Sequence, residues 1–321
     1  MKKFIVRSMY FVLFFILLDR LFGFVLQSNR PIDYKLFLDS KLAFFESIDT
    51  TDILIIGDSH IADALDPRTI ENKTSLSTFN LGIYHSSPFE NYFVVKAALE
   101  KLKVKPRIMV MGTNPIMFER NLSKGKYTPL ILPKWKSFDL VFQSDEGFDP
   151  SFFSQTIREK YLIKPLLNDI RGQQYKPTRI IEDVYHGHSK FFNQIPATEW
   201  SNFDSSAKNK MKIEQIEYFS KTIELALQNG LATIVVHPPI WKNEKEIIAK
   251  SESYMAFRST INQLVEKYNL KVYNDYPNNR TNADGLNFRQ SDFLNTQHLN
   301  YEGSLKFTEG FCSFLINEAA R

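Results

Sequence analysis

The sequence predicts an α/β chain: a three-layer α/β/α domain on a central, mainly parallel sheet, preceded by an N-terminal membrane helix. Three observations carry this. Short continuous apolar runs alternate with amphipathic stretches, as strands buried on both faces alternate with covering helices. Each apolar run ends on a polar or turn residue. The first thirty residues place basic side chains ahead of a long apolar run, the layout of a signal or anchor segment.

Lys2, Lys3 and Arg7 precede "SMYFVLFFILL", and "LFGFVL" follows Asp19-Arg20. The thirteen Leu, Ile, Val and Phe between Ser8 and Leu26 contribute about −6 kcal/mol to insertion, and Asp19 with Arg20 costs about +6 kcal/mol. The span therefore turns on that pair, which either faces a partner helix or lets Arg20 snorkel to an interface. No A-x-A-like cleavage site follows, so residues 1–30 are expected to form an uncleaved signal-anchor. A cleaved signal peptide and a helix lying in the membrane surface are the alternatives. The leading basic residues predict a cytoplasmic N-terminus. The expected location is a bacterial inner (cytoplasmic) membrane, crossed once, with the rest of the chain on the periplasmic, extracytoplasmic side. Residues 31–50 read as a tether and 51–321 as one α/β domain with an insertion at about 120–205.

Within that domain the strand candidates are "DILIIG", "RIMVMG", "ATIVVH" and "LKVYND", and the short run before Asn80 is a further one. Helical patterns lie between them. One spans Phe89 to Leu102; another puts Met211, Ile213, Ile216, Ile223 and Leu227 near one face and stops at Asn229-Gly230. A last helix is expected over Tyr301 to Ala319. The interval from Arg120 to Arg179 breaks the alternation and carries 11 Lys plus Arg against 6 Asp plus Glu. It reads either as an ordinary solvated surface or as an insertion that meets an anionic polymer or lipid head groups.

The bulk numbers exclude several classes. A 321-residue chain that is 43% hydrophobic and 24% charged can bury a sizeable core. A net charge of +4 with no clustered basic signature gives no argument for a nucleic-acid partner. A single cysteine, Cys312, rules out an internal disulfide framework and a multi-cysteine zinc site. No cofactor is expected.

In an open parallel sheet, ligands bind beyond the carboxyl ends of the strands. Polar residues cluster there: Ser59 in "GDSH", Gly82 in "NLG", Asn114 in "GTN" and His298 in "NTQHLN". Each has a bland reading. Ser59 or Asp58 suits a helix cap, Gly82 a turn, and Asn114 before Pro115 a strand end.

The ordered set resembles the SGNH (GDSL-type) hydrolases, named for their Ser, Gly, Asn and His, over most of the chain from Asp52 onward. The N-terminal anchor, "HPP" and "HLN..G" resemble one branch in particular. That branch holds membrane-anchored accessory proteins of polysaccharide O-acetylation and teichoic-acid D-alanylation. The resemblance implies a serine esterase or O-acyltransferase working on an exported or cell-envelope polysaccharide through an acyl-serine. Ser59 would be the nucleophile, His298 the base, and Ser59 N–H, Gly82 N–H and the Asn114 amide the oxyanion donors. The implied partners are an acylated carbohydrate or acyl donor and a multi-spanning membrane O-acyltransferase. The alternative is an impaired relative that serves as a binding or scaffold protein.

One departure stands out. Where the family has an acid three residues before the histidine, this sequence has Asn295; Asp292 is the nearest carboxylate, and Asp284 lies further back. A Ser–His pair assisted by Asn295, a triad completed by Asp292, and a weakened enzyme are all open. His60, His85 and His237 are substrate-pocket candidates together with Asp58, which more simply caps the helix or braces the serine turn. "HGH" at His186 to His188 suggests a metal, but no carboxylate or cysteine spacing supports one, and none is expected.

Overall fold

The structure is a computed structural model that describes residues 2–29, 32–123, 125, 127–145, 154–158, 163, 166–167, 171, 181–191, 211–240, 252–273 and 288–319. Helix α1 (Lys2–Ser28) and helix α2 (Ile32–Ser47) lead into strand β1 (Ile53–Ile56). Then come α3 (Ser59–Ala64), α4 (Pro67–Thr74), β2 (Thr78–Asn80), α5 (Pro88–Lys101) and β3 (Ile108–Gly112). Short helices follow: α6 (Pro115–Glu119), α7 (Thr128–Ile131), α8 (Lys134–Gln143) and α9 (Gln155–Arg158). A hairpin of β4 (Ile181–Tyr185) and β5 (His188–Phe191) precedes α10 (Ile213–Gln228) and β6 (Ala232–Val236). The chain closes with α11 (Glu252–Tyr268), β7 (Lys271–Tyr273), a 3₁₀ turn (Gln290–Asp292) and α12 (Tyr301–Ala319).

Five strands form one parallel sheet in the order β2-β1-β3-β6-β7. Alternating side chains explain the three layers, since successive residues of a strand point to opposite faces. Ile53 and Ile55 join Val110, Ile234 and Val236 against Ile61, Ile70, Phe307 and Phe311, which belong to α3, α4 and α12. Leu54 and Ile56 join Met109, Met111 and Val235 on the other face, against α2, α5, α10 and α11. With both faces covered, each such side chain contributes about 1.5–3 kcal/mol of burial. The chain runs from β1 to β2 on one side and then crosses to β3 on the other. The sheet therefore reverses its winding at the carboxyl ends of β1 and β3, the position where open parallel sheets bind ligands.

Three expectations change. Residues 31–50 are no bare tether: α2 buries Phe37, Leu38, Lys41 and Phe44, because its apolar residues have a facing layer to fill. The face of α10 is also rotated from the aliphatic count. Gln215, Tyr218, Phe219, Thr222, Ile223 and Ala226 are buried, whereas Ile213 and Leu227 are exposed. Aromatic packing decides this, with Tyr218 edge-on to Phe89 at 4.8 Å and Phe219 near Phe118 at 5.4 Å. Finally, part of the 120–205 interval belongs to the core, since Tyr127, Leu130, Ile131, Leu132 and Leu140 are buried there.

Helix α1 is long and apolar enough to cross a membrane, by length and composition. Asp19 finds its partners within the chain. Its carboxylate accepts from Ser154 Oγ at 2.5 Å and Thr156 N at 3.1 Å. The serine and threonine at the start of α9 thus answer the acid that burdens the span.

Candidate active site

Two glycines let α3 sit directly against the carboxyl ends of β1 and β3. Gly57 has φ +142, and a Cβ there would come within 2.6 Å of Ile61 Cγ2. At Gly112 a Cβ would meet Ile61 Cβ at 2.3 Å. Side chains at either position would push Ile61, and Ser59 two residues earlier, away from the strand ends. Gly112→Ala is expected to cost about 1–3 kcal/mol by overpacking, read in urea denaturation. A variant as stable as the parent chain would show that this close approach is unimportant.

Ser59 opens α3 and is buried beside His298, which lies just before α12. Ser59 Oγ is 2.8 Å from His298 Nε2, and His298 Nδ1 is 3.0 Å from Asn295 Oδ1. The Asn295 oxygen also accepts the backbone N–H groups of Gln297 and His298, both at 2.9 Å. Backbone nitrogens only donate, so these two bonds fix which end of the amide is oxygen. His298 Nδ1 must then carry the proton, and the Nε2 lone pair faces Ser59. An asparagine thus selects the tautomer a general base needs.

Asp292 goes elsewhere. Its carboxylate accepts Arg289 N at 2.7 Å and lies 3.3 Å from Lys306 Nζ, holding the 3₁₀ turn against α12. The triad completed by Asp292 is therefore corrected to an array with Asn295. Asp284 lies outside the described residues.

Asp58 is the N-cap of α3 and accepts His60 N at 3.0 Å. His60 Nδ1 lies 3.1 Å from Asp58 Oδ2, and the His60 ring stacks on His298 with centroids 4.7 Å apart. Asn114 Oδ1 accepts Met117 N at 3.2 Å, which caps α6, and Nδ2 donates to Asp58 Oδ2 at 2.7 Å. One amide N–H of Asn114 is thereby committed to Asp58, leaving the other. Burial alone would raise the Asp58 carboxyl, yet His60, Arg120 and the Asn114 amide hold it below its ordinary value.

Gly82 departs from its expected role. Its N–H donates to Asn80 Oδ1 at 2.9 Å, so it is not directed at an oxyanion. A Cβ at Gly82 would crowd Ala62 at 3.0 Å, so the loop or α3 would have to give by a few tenths of an ångström. Asn80, which opens "NLG", has a role that the sequence does not assign. Its Nδ2 donates to Ile61 O at 3.2 Å and Leu65 O at 3.0 Å, so it ties the far end of α3 to the Gly82 loop.

The other histidines spread out. His85 is exposed in a left-handed turn (φ 61). His237 follows β6, buried edge-on against Phe257 at 6.1 Å, and burial pushes it down to about 4. The "HGH" turn is a docking device. His186 Nδ1 lies 3.0 Å from Glu71 Oε1, and the Gly187 carbonyl accepts from buried Lys41 at 2.6 Å. His188 Nε2 contacts Ser304 Oγ at 3.0 Å. Among the described residues, no group of three or more His, Cys, Asp or Glu is placed to hold a metal.

Glu90, which the sequence reading did not single out, is buried in a capping box with Ser87 and takes the Thr128 hydroxyl. Burial pushes it up to about 7 against opposing bonds from Thr128 and Ser87 and the charge of Arg120. The folded chain therefore holds this proton more tightly than the unfolded one. Its stabilisation is complete below 4.5, the ordinary value of a glutamate, and is lost as pH rises through about 7. Thermal melts at pH 5 and pH 8 are expected to diverge less in Glu90→Gln than in the parent chain. Equal divergence would show that Glu90 is not the group responsible.

No protein-family model matches the chain, and no curated protein matches it. Among solved structures it is similar to one titled "Crystal Structure of TesA", with 9% identity, a TM-score of 0.42, and coverage of 82% of this chain and 97% of that one. Fold and site together define a parallel α/β protein with a Ser–His–Asn array at the reversal of its sheet.

Proposed function

We propose that the protein is a serine esterase or O-acyltransferase that works through an acyl-Ser59 intermediate. The single observation that carries this is the 2.8 Å contact from Ser59 Oγ to a His298 Nε2 whose tautomer Asn295 fixes. His298 takes the Ser59 proton as Oγ attacks an ester carbonyl, and returns it to the leaving oxygen. Water or a sugar hydroxyl then attacks the acyl-serine; His298 takes the acceptor's proton and gives it to Ser59 Oγ as the acyl group leaves. The Ser59 N–H, at the first position of α3 where no intrahelical acceptor exists, and the second Asn114 N–H are the oxyanion donors. Gly82 joins them only by leaving Asn80.

The acceptor class in this reading is an exported or cell-envelope polysaccharide, with α1 as a membrane anchor and a multi-spanning acyltransferase as the acyl source. These assignments rest on the sequence resemblance and on the length and composition of α1. A scaffold reading, in which the same fold holds a glycan or a partner enzyme, is favoured by the Gly82 N–H being engaged by Asn80.

The test is acyl trapping. The full chain in detergent is mixed with p-nitrophenyl acetate, and the acyl group is located by peptide mass spectrometry. Acetyl on Ser59, absent in Ser59→Ala and slowed in His298→Ala, is expected. No acylation of the parent chain would sink the enzyme reading in favour of the scaffold.

A further inference from the structure

The Ser59–His298–Asn295 array lacks a charge. When His298 takes the serine proton it becomes an imidazolium, and an amide oxygen orients that cation without supplying the opposite charge of a carboxylate. A buried carboxylate does lie close by. Asp58 is 1% exposed and is bound to His60, whose ring stacks on His298 at 4.7 Å and 24°. Carboxylate oxygens accept and do not donate, so the His60 Nδ1–H must point to Asp58. Asn114 Nδ2, 3.2 Å from the same ring nitrogen, therefore shares Asp58 as acceptor rather than bonding to the ring. An imidazole bound in this way is polarised by the anion, and a ring face attracts a cation within about 6 Å.

We propose that Asp58 and His60 are positioning residues for His298: the carboxylate-bound His60 ring holds its face and stabilises the imidazolium formed when Ser59 gives up its proton. The charged groups that act on Asp58 are His60 and Arg120, and His298 faces the His60 ring. The Arg120 guanidinium donates to Ser86 O at 2.6 Å, and its charge acts on Asp58. One signal in the sequence fits: "GDSH" brackets Ser59 with the acid and the imidazole of this pair. The inference rests on reading Ser59 and His298 as nucleophile and base.

The test titrates His298 directly. The full chain in detergent micelles carries histidine labelled with ¹³C at Cε1, and the His298 signal is assigned with His298→Gln. Asp58→Asn removes the charge and keeps the helix cap, because asparagine caps as well as aspartate. His298 is expected to titrate at lower pH in Asp58→Asn than in the parent chain, and single-turnover acylation by p-nitrophenyl acetate to fall about 10-fold. His60→Gln, which keeps a donor for Asp58 but loses the ring, is expected to move both readouts the same way and serves if Asp58→Asn does not fold. An unchanged His298 titration in the folded variants overturns the inference. Absence of acylation in the parent chain would instead defeat the enzyme reading, while the titration would still decide whether Asp58 and His60 act on His298.

Discussion

Ser59→Ala is expected to lower ester turnover by about four to six orders of magnitude, the loss seen when the nucleophile of a serine hydrolase is removed, with the melting temperature nearly unchanged. The second half of that expectation separates the two meanings of a serine before a helix. A capping serine accepts an N–H from the first turn, and its loss costs about 0.5–2 kcal/mol. Here Asp58 does the capping, by accepting His60 N at 3.0 Å, and Ser59 Oγ is turned to His298. Removing the hydroxyl therefore takes away chemistry and no cap. The measurement pairs p-nitrophenyl acetate hydrolysis with a thermal melt of the same sample. A variant that melts lower but turns over normally would make Ser59 a structural residue.

Asn295→Asp is expected to raise acylation of Ser59 by about 10- to 100-fold near neutral pH, since an adjacent opposite charge favours the imidazolium by roughly one to two pKa units. The gain falls short of the about 10⁴-fold separating aspartate from asparagine in a serine protease. There the amide leaves the histidine in the wrong tautomer. Here Gln297 N and His298 N, both 2.9 Å away, hold the amide oxygen towards the ring, so the tautomer is already correct. Asn295→Ala separates the two contributions. It removes the acceptor for Nδ1 and is expected to lower acylation by about 100- to 10,000-fold. Stopped-flow release of p-nitrophenol reads both variants. An Asn295→Asp chain no faster than its parent would show that the site does not lack charge.

Much of the fold was legible because its signals are local. Strands buried on both faces must be apolar throughout, so "DILIIG", "RIMVMG" and "ATIVVH" stand out without reference to the rest of the chain. The end of α10 at Asn229-Gly230 and the extent of α12 are likewise set by short-range chemistry. The buried face of α10 was not legible. Which side of a helix faces inward depends on its neighbours, and the aromatic rings of Phe89 and Phe118 outweighed the aliphatic count. Nor was α2, read as a tether until a hydrophobic layer was there to receive Phe37 and Phe44.

The site divides in the same way. The sequence by itself determined the residue types and their placement after strand ends: Ser59 after β1, Asn114 after β3 and His298 before the last helix. It also determined that the residue three before the histidine carries no charge. Tertiary structure alone decided the partners. It set one Asn114 N–H on Asp58, tied Asp292 to Lys306, and laid His60 on His298. The reason is geometric. A hydrogen bond needs its atoms within about 3 Å and aligned, and residues 239 positions apart in the chain, as Ser59 and His298 are, meet only when the whole sheet brings them together.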